Sequence, residues 1–305
     1  MSRRQYYVML NIFNFKQKKI DKLFDIAQSL DHDGNEDEAI KKYKEVIELD
    51  PEYSSCFYNI GLIYKYQGDW KKSFEYNQKA YALDPESEAA RWNLGIAATA
   101  LGDWKTARNV WKEAGISLED IEGPINQNFG LNPVRLNPDG NAEVVWAERI
   151  DPARAEIVSV PLPESGYCAG DLILNDGAPV GYRMHGESER AVFNILALLK
   201  ESAFSTFKVT ITVSEQTDID ELETLIEERK MIFEDWSTNY RILCKACSEG
   251  RPHTEHDNEG SKEWSPEHDI AIAAISLHDI NEVLVLWKNK TTRVVNSISC
   301  VFSRD

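Results

Sequence analysis

The 305-residue chain lacks any uninterrupted apolar stretch long enough to cross a bilayer. Its one apolar run near the start, residues 6–15, is broken by Asn11 and Asn14. Arg3-Arg4 precede that run as in a signal peptide, but Phe15-Lys16-Gln17-Lys18 offers no small-residue cleavage site. The run is therefore expected to pack beside the helices that follow. Cysteine is sparse, five residues, odd in number and scattered apart from one close pair. This fits a reducing cytoplasm better than a disulfide framework. Positive charge is in deficit, with 34 Lys and Arg against 51 Asp and Glu and a net charge of −17. Such a field repels nucleic acid and anionic membrane, so neither is expected as a partner. A phosphate-binding glycine loop is also missing, and the histidines and carboxylates show no catalytic spacing beyond the motifs below.

What is present is a period. Gly34, Gly68 and Gly102 are spaced by 34 residues, as are Asp50-Pro51 and Asp84-Pro85, and Asp69-Trp70 and Asp103-Trp104. With each Pro at position 32, the repeats run 20–53, 54–87 and from 88 onward. Position 8 is then Ala27, Gly61 and Gly95, position 20 is Ala39, Ser73 and Ala107, and position 27 is Val46, Ala80 and Ala114. Small residues at 8 and 20 let paired helices approach closely, and Pro just after a helix end costs no hydrogen bond. One such unit cannot bury its apolar face alone; stacking buries it and leaves a groove for ligands.

These residues resemble the tetratricopeptide repeat (TPR) family over about the first 115 residues. The resemblance implies antiparallel helix pairs stacked into a right-handed superhelix. It places positions 5, 6 and 9 of each first helix on the concave side, here Tyr58, Asn59 and Leu62 in repeat two and Trp92, Asn93 and Ile96 in repeat three. Stacked Asn amides can hydrogen-bond an extended backbone, and aromatics add contact area at low entropic cost. Packing of neighbouring helices is the competing role for Tyr58 and Trp92. Members that grip a C-terminal carboxylate add Lys or Arg around the Asn pair. Here Phe24, Gln28 and Ala89 hold those places and only Arg91 is basic, so such a clamp is not expected.

Charge divides the rest. Residues 1–116 carry 17 basic and 18 acidic side chains, so nearly all the net charge lies in 117–305. We expect TPR-type all-α repeats over 1–116, a connector over 117–133 and an acidic α+β domain over 134–305. Asn137-Pro138-Asp139-Gly140 predicts a hairpin between strands at 134–136 and 143–148. Strands are expected at 155–160 and 172–174, and 191–200 fits strand or helix. Alternation at 207–213, helical spacing at 218–230, strands at 239–245 and 270–276, a helix at 279–287 and a strand at 293–302 suggest a ferredoxin-like sandwich.

Within this domain, Cys244-Lys-Ala-Cys247 and His253-Thr-Glu-His256 supply the ligand types of a closed tetrahedral zinc site, in a loop at 244–268. His268 and Asp257 are alternative ligands. Four protein ligands leave no place for water, so a structural zinc is expected rather than a catalytic one. Gly166-Tyr-Cys168-Ala-Gly170 has the shape of a nucleophile elbow, yet prolines precede it and a strand follows, which favours a turn. Helix 218–230 aligns Asp220, Glu223, Glu227 and Glu228 on one face, a surface for a basic partner or simply a solvated one. The sequence thus predicts a non-enzymatic interaction protein, binding through a TPR groove and an acidic domain. An inhibitor or immunity-type antagonist of a basic protein such as a toxin fits it. The alternative is an enzyme whose α+β domain is catalytic and whose repeats recruit substrate.

Overall fold

The structure is a computed structural model describing residues 3–237, 264–289 and 292–304. It divides into two compact units, Met1–Ile125 and Asn126–Asp305.

The first unit contains six helices: α1 (Arg3–His32), α2 (Glu36–Leu49), α3 (Ser54–Tyr66), α4 (Trp70–Leu83), α5 (Glu88–Leu101) and α6 (Trp104–Glu113). The apolar run at 6–15 is thus the beginning of α1, continuous with the first helix of the first repeat. Gly34, Gly68 and Gly102 join the helices within each pair at φ of 78°, 72° and 70°. Those left-handed turns favour glycine because it carries no Cβ to clash. At the following position Asp69 accepts the Lys72 amide and Asp103 the Thr106 amide, capping α4 and α6.

The small residue at position 8 has a measurable reason. A Cβ on Gly95 would stand 2.5 Å from the ring of Trp111, and one on Gly61 would stand 2.5 Å from the Asn77 amide. Asn77 and Trp111 share position 24 of their repeats, so the second helix uses the space the glycine leaves. Trp111 is fully buried, and its rigid ring has little freedom to retreat. Gly95→Ala should therefore destabilise the first unit by about 3 kcal/mol, the upper end of overpacking costs. Urea unfolding read by helix content checks this, and a loss under about 0.5 kcal/mol would contradict it.

The connector is shared between the units. The Arg108 guanidinium donates to the carbonyls of Glu119, Gly123 and Pro124 at 3.0, 2.7 and 3.0 Å. Ile125 is fully buried, and the three bonds hold the segment after α6 against that helix.

The second unit opens with a five-stranded closed barrel that the sequence reading did not foresee: β1 (Leu131–Leu136), β2 (Glu143–Arg149), β3 (Arg154–Ile157), β4 (Leu172–His185) and β5 (Ser188–Lys200). Successive strands pair antiparallel, and β5 returns to β1 in parallel through Val134↔Phe193 and Arg135↔Asn194. The hairpin over 137–140 joins Leu136 to Glu143 as expected. Val134, Leu136, Val145, Ala147, Ile157, Ile173 and Ile195 fill a common core.

There follow β6 (Ser205–Thr212), α7 (Gln216–Glu227), β7 (Ile232–Asp235), β8 (Glu267–Ala274), α8 (Leu277–Trp287) and β9 (Val294–Phe302). Their strand–helix–strand–strand–helix–strand order builds an antiparallel sheet, β7-β8-β6-β9. One sheet face packs Val209, Ile211, Ile270 and Ile272 against Leu222 and Ile226 of α7 and Ile280 and Trp287 of α8. On the other face Ala271 and Ala273 meet Val160 and Ala169, which docks the sheet on the barrel's connecting segment. The second strand lies at 232–235, directly after the helix. The strand expected at 239–245 falls outside the described residues. The predicted helix also ends earlier, at Glu227, because Lys230 turns the chain with φ 59°.

Candidate functional site

A groove of about 340 Å³ opens between the first two repeats. From α1 it takes Gln28, Asp31 and His32, positions 9, 12 and 13 of repeat one. From α3 come Asn59, Leu62, Ile63 and Tyr66, positions 6, 9, 10 and 13 of repeat two. Residues three and four apart on a helix share a face, so the lining is one stripe from each first helix. Glu36 and Tyr43 of α2 complete it.

Its chemistry is amphipathic and acidic. Ile63 is buried, Leu62 half-buried, and the Tyr66 ring is 60% exposed. Asn59 hydrogen-bonds the Tyr43 hydroxyl, while burial pushes that phenol's pKa up. Burial, followed by the neighbouring Glu36 charge, raises the Asp31 carboxyl. Gln67 Nε2 donates to Glu36 Oε2 at 2.5 Å and fixes that side chain.

Of the predicted concave residues, the structure brings Asn59 and Leu62 into this groove and leaves the others out. Asn93 is buried, and its Oδ1 accepts a hydrogen bond from Lys65 Nζ at 3.3 Å. Trp92 meets the edge of Trp111 at 5.0 Å between ring centroids, the packing role weighed against binding. Tyr58 is half-buried on α3 and already has an interaction partner. The residues the sequence reading missed, Asp31 and Glu36, flank the Gly34 turn, and their charge there reads as ordinary turn solvation.

Asp220 and Glu227 on α7 and Glu228 just after it are exposed, whereas Glu223 is half-buried. Burial, then Glu227 and Asp220, raises the Glu223 carboxyl. The acidic face is thus real and self-repelling.

The four proposed zinc ligands, Cys244, Cys247, His253 and His256, and the alternative Asp257 lie outside the described residues. His268 is described: it is buried, and its Nδ1 donates to Asp235 Oδ2 at 2.8 Å. Among the described residues no group of three or more His, Cys, Asp or Glu is arranged to hold a metal. Cys168 is buried, its Sγ directed to the Phe204 carbonyl at 3.1 Å, and burial pushes its thiol pKa up. That is the environment of a structural cysteine in a turn. No helix among the described residues is long and apolar enough to cross a membrane.

Comparison with known proteins bears on the repeats. Family models described as TPR repeat and tetratricopeptide repeat match residues 33–68 and 54–87. No curated protein matches. One similar solved structure is a mutant O-GlcNAc transferase of Thermobaculum terrenum, 21% identical at a TM-score of 0.30, covering 32% of this chain and 19% of that one. Another is the second TPR domain of Spaghetti bound to an HSP90 peptide, 22% identical at 0.32, covering 36% of this chain and 92% of that one. With the 34-residue period, the left-handed glycine turns and the paired helices, the two family matches over residues 33–87 support a TPR-like N-terminal unit.

Proposed function

We propose that this chain is a non-catalytic protein-interaction module whose α1–α3 groove takes an extended segment of a partner protein. The observation that carries the reading is the groove itself, one continuous stripe from two first helices with an exposed aromatic ring and unburied polar groups. Its volume suits a side chain with flanking backbone, not a folded element. A photo-reactive amino acid at Leu62 should cross-link the partner, and the same group at exposed Glu75 on α4 should not. Equal cross-linking at both positions, or none at Leu62, would remove the groove from the function.

The acidic second unit supports a finer reading, antagonism of a basic protein. Repulsion along α7 costs stability that recognition would offset, since acidic surfaces steer basic partners to them. Replacing Glu223, Glu227 and Glu228 with Lys should slow association with that partner by more than roughly tenfold at low salt. Association rates of both chains across a salt series are the measurement; superimposable curves would reduce the charge to solvation.

A further inference from the structure

We propose that the α1–α3 groove is a receptor for one lysine or arginine side chain of an extended partner segment, with Asp31 and Glu36 as its carboxylate contacts. This rests on the groove being the binding surface and adds the chemistry of the occupant.

Position 12 of the repeats carries opposite charges at successive junctions. In repeat two that position is Lys65, which donates to Asn93 of the next repeat and lies 4.4 Å from the Tyr66 ring centroid. The equivalent residue of repeat one is Asp31, facing the groove that also holds Asn59, the counterpart of Asn93. Asn59 is already engaged with Tyr43. The repeat thus supplies its own cation at one junction and a carboxylate at the other.

No hydrogen bond or ion pair reaches the Asp31 carboxylate among the described residues, and its environment only disfavours its charge. Glu36 has one oxygen held by Gln67, leaving Oε1 open among the described residues. Neither lysine nor arginine lines the cavity; exposed His32 is its one nitrogen base. Two adjacent, partly desolvated carboxylates without a counter-ion are complementary to a cation. Leu62 and the exposed part of the Tyr66 ring, which Lys65 also approaches, add apolar and aromatic surface along which a lysine or arginine stem can lie. An acidic occupant would face repulsion, and an apolar one would leave the carboxylates dehydrated and unpaired.

The test uses the full chain and a positional-scanning library of hexapeptides with acetylated and amidated ends, in which norleucine and glutamine serve as uncharged comparators. Captured peptides should show at least tenfold enrichment of Lys or Arg at one position. That enrichment should disappear in the double variant Asp31→Asn, Glu36→Gln, whose melting curve checks its fold. If the double variant melts early, Asp31→Asn alone should still lower the enrichment severalfold. Capture with no basic position would overturn the cation receptor and leave groove binding standing. No capture at all would overturn both. Basic enrichment that survives the double variant would move the contact elsewhere and overturn the assignment.

Discussion

Arg304→Ala should cost about 3–5 kcal/mol of stability, the range for breaking a buried ion pair by removing one partner. Arg304 forms two bonds to the fully buried Asp171 carboxylate, at 2.6 and 2.7 Å. Asp171 also accepts the backbone amides of Cys168 and Ser202 at 2.8 and 2.9 Å. The residue therefore joins the turn before β4, the end of β5 and the chain just after β9, tying the barrel to the last strand of the sheet. Without the guanidinium, a buried carboxylate is left on two backbone amides. Asp171→Ala should cost a similar amount, since it orphans those amides and leaves Arg304 with only the Gly166 carbonyl at 2.8 Å and Glu201 at 3.7 Å. The double variant should be no worse than the worse single variant, because the two residues act as one unit. Urea unfolding of all three chains tests this, and fully additive losses would show that the pair is not coupled.

The second large effect is in pH. Burial raises the Glu234 carboxyl from its usual value to about 7, against smaller opposing contributions from the Val160 amide and the Arg183 charge. The folded state therefore holds a proton that the unfolded chain gives up near 4.5. The contribution to stability is full below that lower value and is lost as pH rises through about 7. The span corresponds to about 3 kcal/mol. The chain should thus be weaker at about pH 8 than at about pH 5. Glu234→Gln should remove most of that slope, since an amide oxygen can still accept the Val160 N–H that Oε2 accepts at 2.8 Å. Urea midpoints of both chains over that pH range are the measurement; equal slopes would place the dependence on the general acidity of the chain.

How far the sequence could be read depended on how local the physics was. The repeats were legible because glycine turns, aspartate caps and position-8 gaps each act within a few residues and recur with a fixed period. The sheet with its two helices was largely legible for the same reason, apart from β7, whose four residues are too few to show alternation. The barrel was not. Its closure depends on pairing Val134 with Phe193, far apart in sequence, and β4 and β5 slip register four times around Pro179, which erases the two-residue period. Residues 191–200 read ambiguously because part of that strand faces the barrel core while the remainder is half-buried. In the groove, Leu62 and Asn59 followed from the family pattern. Asp31 and Glu36 did not, since their meaning comes from the absence of a counter-charge in three dimensions. Asn93 is held by Lys65 of the preceding repeat, a contact that no local pattern shows.

The clasp of Arg108 on the segment after α6 has a consequence for motion. A stack of repeats behaves as a one-dimensional chain of neighbours, and such chains fray from whichever terminus is least tied down. Three carbonyls held by one guanidinium, with Ile125 buried at the end of the segment, fasten the chain after α6 to that helix. Opening the array from its C-terminal end would first have to break those three bonds.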